Sequence, residues 1–405
     1  EAQADDAGAP ESQPVPAPPE EEKAALEESP MMPLVITPVP DQKPHSTGPL
    51  ESAIMEDWNP QLFYKATGLS INSFGELYLI GDVGGLLVFN PEGDLVKKWG
   101  SKGSVDGAFL NPVDVALDSA GNVYVADAGN YRIQMFSPDG QFLGKWGSEG
   151  EGDGQFNQIW GVALDHTGNA YVTDLLDDRV QIFDETGQVL GGWGAEGVGE
   201  GQFHSAGKIT IDRFGNVYVI DAGNYRIQVF NLNGQFLRTF GTLGKEDGQF
   251  QFASALTIGP FDNLYVVDKL GGRVQVFNSD GEFQGKWDPT SLGVSEHMAP
   301  IGIAVDSEGT VYLLDQFDGR VKVLKRLAQE ERAARVEESF NNAEQWRSEG
   351  KLSEAIAAYT EVIRLYRNHL GAYYGRGRAL QSGGEHELAL KDFSAALELA
   401  PNDAD

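Results

Sequence analysis

The sequence predicts an all-β six-bladed propeller followed by a small all-α domain of helical hairpins, on three observations. A tyrosine-marked segment recurs six times, at Tyr78, Tyr124, Tyr171, Tyr218, Tyr265 and Tyr312, with a constant step of 47 residues from Tyr124 onward. Glycine is abundant, 50 of 405 residues, and falls between short β-branched stretches, where tight turns join strands. Near Leu327 the apolar period changes from two to 3.6, and alanine, glutamate and leucine replace the glycine turns.

The elements follow in chain order. Residues 1–50, rich in Pro, Ala and Glu, hold too little apolar surface to offset the entropy of ordering and are expected to form a disordered tether. Their one strand-like patch is Leu34 to Thr37. Residues 51–326 are assigned to the propeller. Each unit runs as an apolar stretch (VALD), a turn, NVYVAD, a turn, RIQMF, a PDG-like turn, FLGKWG, and a glycine-rich connection ending in GQF. Four short strands per unit, stacked about an axis, are the signature of a propeller blade, because each blade buries its faces only against its neighbours. The last unit stops after RVKVLKR, at 320–326, one strand short. A segment within Leu34 to Trp58 is expected to supply the missing strand and close the ring.

Residues 327–405 are assigned to a linker helix and two helical hairpins. Ala355 and Ala389, Tyr359 and Phe393, and Gly350 and Gly384 match across a step of 34 residues. With Gly377, Ala396 and Pro401 in register, this segment resembles the tetratricopeptide (TPR) repeat; the first copy departs from it, with Val362 and Arg367 in the last two places. Two hairpins are fewer than such arrays usually need, so this tail is expected to lean on the propeller, to oligomerise or to have lost further repeats.

Composition excludes several functions. The formal charge is −31 and every region is acidic, which disfavours nucleic acid and anionic membranes as partners. No cysteine is present, which removes disulfides, thiolate metal sites and cysteine nucleophiles. No apolar run is long enough for a membrane span. The chain starts at Glu1, read as a processed or trimmed end. An exported or cell-surface bacterial protein is the expectation from low pI, absent cysteine and the tether, with a cytoplasmic location as the alternative.

The blade text PVDVALDSAGNVYVADAGNYRIQMFSPDGQFLGKWGSEGEGDGQF and its copies resemble the NHL-repeat family over about two thirds of the chain. The resemblance implies a propeller and leaves function open, since relatives include RNA-binding and ubiquitin-pathway proteins, sensor domains of kinases and lyases of amidated-peptide precursors. In those lyases a histidine-lined metal centre is implied. Here His45, His166, His204, His297, His369 and His386 occupy positions that do not correspond from blade to blade, so neither metal nor cofactor is expected.

The Asp/Arg pairs five apart, Asp127 and Arg132, Asp174 and Arg179, Asp221 and Arg226, Asp268 and Arg273, Asp315 and Arg320, recur too often to be catalytic and are read as part of the blade frame. The glycine-rich links lack the terminal lysine of a phosphate loop and the alternating oxygens of a calcium loop. Function is therefore sought where the copies differ. The turns between second and third strands vary at Leu175, Leu176, Lys269, Leu270, Gln316 and Phe317, and the connections entering the blades vary at Trp160, His204 and Lys208. In the helices, Phe340, Glu344 and Arg347 and then Tyr374, Arg378 and Gln381 are placed on the inner groove, with Arg347 and Arg378 suited to a peptide carboxylate. With no catalytic motif standing out of the repeat, the expectation is a non-enzymatic scaffold that binds protein or peptide partners; a ligand sensor or a hydrolase or lyase that uses the central pocket is the alternative.

Overall fold

The computed structural model describes residues 53–58, 66–81, 85–287, 300–315, 319–326, 329–366 and 369–399. The stretch expected to be a tether lies outside the described residues, as do Gln316 and Phe317.

Six four-stranded antiparallel sheets form the blades. Their inner strands are Ala66–Ile71, Asp114–Leu117, Ile159–Leu164, Ala206–Ile211, Ala253–Ile258 and Pro300–Val305. Each packs beside the next, and the sixth returns to the first. The second strands, such as Val123–Asp127, are buried on both faces, because every blade is covered by two neighbours. They therefore read as continuous apolar runs without alternation. The outermost strands, such as Phe142–Trp146, alternate half-buried and exposed positions instead.

The recurring Asp/Arg pairs are structural. Arg132 Nε donates to Asp127 at 2.8 Å, and its Nη2 donates to the Val105 and Ala108 carbonyls of the glycine-rich link. Gln134, two residues on, donates to the same Asp127 and the same Ala108 carbonyl, and accepts from Gly107 N. One buried carboxylate thus ties a turn, a link and the start of the inner strand together, the Leu110 N–H donating to it as well. Blades four and five repeat this with Asp221 and Arg226 at 2.7 Å and Asp268 and Arg273 at 3.1 Å. Such a network satisfies backbone groups that the irregular link would otherwise leave unpaired.

Ala53–Trp58 is the closing strand. It pairs antiparallel with Arg320–Arg326, Trp58 opposite Val321, and so becomes the fourth strand of blade six. Trp58 takes the place that Trp99 holds in blade one. Trp99 lies on Gly140 of the next blade, which has φ of +82°, and a Cβ there would fall 2.7 Å from the indole; Trp58 lies on Gly93 of blade one in the same way, at 2.8 Å. The same indole meets Tyr312 edge-on at 5.4 Å.

The helices are α1 (Gln329–Ser348), α2 (Leu352–Leu365), α3 (Leu370–Ser382) and α4 (His386–Leu399). Gly350 and Gly384, with φ of +76° and +87°, make the turns within the two hairpins, which is why glycine recurs there. Ala343, Ala355, Ala358, Tyr359, Val362 and Ala372 form the core between them. Gly375 leaves room for the Tyr359 ring, since a Cβ there would lie 2.4 Å from it. Among the described residues no helix is long and apolar enough to cross a membrane.

Candidate functional site

An inner strand pairs on one side only, so six free backbone edges surround a cavity on the propeller axis. Its volume is about 240 Å³, and all six inner strands line it. Counting ten residues back from each marker tyrosine gives one equivalent position per blade: Gly68, Asp114, Gly161, Lys208, Ala255 and Gly302. Four are glycine or alanine. The other two form an ion pair, with Lys208 Nζ 2.8 Å from Asp114 Oδ1. The same Nζ donates to the Val113 carbonyl at 2.6 Å, across 95 residues of sequence, and Asp114 Oδ2 accepts from Val162 N at 3.0 Å.

The two side chains thus cap the free edges of blades two and three. In blade one the Thr67 hydroxyl caps its neighbour similarly, donating to the Pro112 carbonyl at 2.6 Å. Small residues in the remaining blades have a packing cause. A Cβ on Gly68 would lie 2.9 Å from Asp114 Cα, and one on Gly161 would lie 3.1 Å from Ile209 N. Lys208 is only 9% exposed. Burial pushes its ammonium below the usual lysine range, against the opposing pull of the Asp114 carboxylate. An amine held partly desolvated at the edge of a cavity gives up its proton more readily than an exposed lysine. Ser70, Thr210 and Thr257 add hydroxyl groups to the same lining.

The sequence-derived candidates scatter. Lys208, expected on a varied connection, lies instead in an inner strand and is buried. Trp160 is the half-buried bulge residue of the third inner strand, between Ile159 and Gly161. His204 is exposed on the preceding link, its backbone N–H donating to Asp221. Leu176 and Leu270 project at 65% and 69% exposure, as expected for loop tips. Leu175 and Lys269 do not project: both are half-buried, with backbone N–H groups bonded to the Gln158 and Phe252 carbonyls. In blade three Arg179 turns to Asp177 at 3.0 Å and stands 3.8 Å from Asp174, so burial raises the Asp174 carboxyl above its usual range, against the donation of Gln158 N and Asn157 N.

Arg347 is not a free groove cation. It donates to Glu344 at 2.6 Å and to the Tyr359 hydroxyl at 3.1 Å. Tyr374 and Arg378 are exposed neighbours on α3, the guanidinium 6.0 Å from the ring centre. Asp114 was missed altogether. The signal for it was present in the sequence: once the copies are aligned on their tyrosines, it and Lys208 are the two charges in an otherwise small position.

Comparison with known proteins agrees with this architecture. The NHL repeat model matches residues 109–136, a model described as a 6-bladed beta-propeller matches 164–242, and the tetratricopeptide repeat model matches 370–403. The chain is an NHL-type six-bladed propeller followed by TPR repeats. NHL repeat-containing protein 3 from Homo sapiens is 37% identical over 81 residues, which cover 19% of this chain and 23% of that protein.

Among solved structures, a streptogramin B lyase aligns at a TM-score of 0.51 and 14% identity, covering 67% of this chain and 97% of that one. Virginiamycin B lyase from Staphylococcus aureus, solved with quinupristin, aligns at 0.51 and 14% over 68% and 100%. A protein of unknown function from Bacteroides thetaiotaomicron aligns at 0.51 and 16% over 67% and 71%. At these identities the likeness is one of fold. It overturns the expectation of a non-enzymatic chain, which rested on the plainness of the repeat, because propellers of this fold include lyases.

Proposed function

We propose that the axial cavity is the functional site and that the propeller carries out lyase-type chemistry there on a small polar ligand, with the Lys208 amine as the reactive group and Asp114 as its proton partner. One observation carries the reading. At the one repeat position where six inner strands bring equivalent residues around the cavity, the pattern of small residues is broken twice, and the two exceptions bond to each other. Ion pairs that serve only the frame recur in several blades of this protein; this one occurs once. The shared fold of the lyases supports the reading without supplying their substrate.

A small cavity lined by strand edges suits a ligand with several hydrogen-bonding atoms. Removal of a proton next to a carbonyl, followed by loss of a leaving group, needs a base with a proton affinity near neutral and a group to carry the proton onward. Lys208, whose proton affinity burial lowers, is placed to be that base, and Asp114 Oδ1 at 2.8 Å is the group beside it. The test is a turnover screen of the full chain against small hydroxy acids, amino acids and their esters, following formation of conjugated double bonds. Turnover of one class, lost in Lys208→Met with the fold retained, supports the assignment; equal behaviour of wild type and Lys208→Met across the screen, with no ligand shifting the melting temperature, refutes it.

The architecture also suits protein partners. Exposed Leu176 and Leu270 at loop tips, and the exposed Tyr374 and Arg378 pair on α3, favour a partner-binding role beside the axial site.

A further inference from the structure

We infer that Lys208 forms an imine with a small aldehyde or ketone bound in the axial cavity. The inference rests on the axial reading and deepens it by naming the substrate class. It begins from the hydrogen-bond count of the amine. Nζ has two acceptors within the protein, the Val113 carbonyl at 2.6 Å and Asp114 Oδ1 at 2.8 Å. A neutral amine has two N–H groups and one lone pair. Two acceptors saturate the two N–H groups, and the lone pair is left on the side away from both. Nothing in this arrangement requires a third proton.

Burial works toward the neutral, nucleophilic form and the Asp114 carboxylate against it, so the amine that reacts is the one that has given up its ion-pair proton. Lys208 is nine-tenths buried and stands at the cavity lining, with glycine or alanine at the equivalent positions of four blades. Asp114 is held from behind by the Val162 N–H on Oδ2, which leaves Oδ1 to face the amine.

The step balances within these groups. The Nζ lone pair adds to the carbonyl carbon, forming the C–N bond and opening the C=O π bond onto oxygen. Asp114 Oδ1 takes one proton from the nitrogen and passes it to that oxygen, giving a carbinolamine. The second nitrogen proton follows the same route, and the oxygen leaves as water while the C=N bond forms. The imine withdraws electrons from the neighbouring carbon and makes its C–H bond more acidic, which is what a lyase step requires.

The experiment uses the wild-type full chain with glyoxylate as aldehyde probe and pyruvate as ketone probe, trapped with sodium cyanoborohydride at pH 7 and mapped by peptide mass spectrometry. The expected result is a reduced adduct on Lys208 that forms at least about tenfold faster than on the exposed Lys98 or Lys145, and slows about tenfold or more in Asp114→Asn. Adduct formation on Lys208 no faster than on those surface lysines overturns the imine. Acylation of Lys208 by acetic anhydride, with and without each probe, separates the two levels of the argument. Protection of Lys208 without trapping overturns the imine and leaves the axial pocket as the binding site; neither protection nor trapping counts against both.

Discussion

Replacing Asp114 by Asn tests the axial pair most directly, because it removes the charge opposite Lys208 and keeps the shape. Nζ then faces a neutral amide and the Val113 carbonyl, so the protein must bury an uncompensated ammonium or release its proton. The second route sets the ceiling. Releasing a proton at pH 7 from a group whose ordinary value is 10.5 costs about 5 kcal/mol, at roughly 1.4 kcal/mol per pH unit. Breaking a buried ion pair from one side costs about 3–5 kcal/mol by itself. A loss of about 3–5 kcal/mol is therefore expected, or roughly 6–20 °C in melting temperature for a domain of this size.

The double replacement Lys208→Met with Asp114→Leu removes both charges and is expected to return to within about 1 kcal/mol of wild type or above it, because the desolvation of two ions is then recovered. The pH dependence has a definite sign. Where the unfolded chain keeps the Lys208 proton and the folded chain has lost it, the unfolded state binds more protons, so stability rises with pH. In Asp114→Asn that window extends down toward neutrality, and stability is expected to climb by up to about 1.4 kcal/mol per unit between pH 7 and 9.5. Urea unfolding of wild type, Asp114→Asn, Lys208→Met and the double replacement across that range measures all of this. Single variants that each cost under about 1 kcal/mol, add in the double and show no pH slope would refute a buried, coupled pair.

The marker tyrosines control the alkaline limit. Burial raises Tyr78, Tyr124, Tyr171 and Tyr218 above the ordinary tyrosine value of 10.0, Tyr124 up to about 12. Their stabilisation is complete below pH 10 and lost as pH rises through the folded values, so Tyr124→Phe is expected to reduce the alkaline loss by about 2–3 kcal/mol between pH 10 and 12, read by fluorescence-monitored unfolding. Trp58→Ala removes the latch on Gly93 and is expected to cost about 3–5 kcal/mol, with deletion of residues 1–58 costing at least as much by calorimetry; a melting temperature unchanged by either would show that blade six does not depend on its borrowed strand.

Most of the fold was legible because a repeat multiplies its own evidence. Turn glycines, a tyrosine every 47 residues and the Asp/Arg pairs each state the same unit several times, and the change of period near Leu327 marks the helices. The closing strand was legible only as a gap. Trp58 in MEDWNP has the place of Trp146 in LGKWGS, yet it lies hundreds of residues from the strand it completes, where local pattern carries no pairing information.

The site was hardly legible. Variation between copies pointed to Lys208, but variation also marked Leu175 and Lys269, whose backbone N–H groups are bonded to the Gln158 and Phe252 carbonyls, and groove position marked Arg347, which Glu344 and Tyr359 hold. By itself the sequence determined the number of blades, the four-strand unit, the structural part played by the Asp/Arg frame and the helical hairpins, all of which are local or periodic. Only the tertiary structure decided that Lys208 meets Asp114. Closing six blades into a ring sets inner strands from blades two and four around one cavity, and that ring alone brings an amine and a carboxylate from distant parts of the chain to 2.8 Å, both nearly buried.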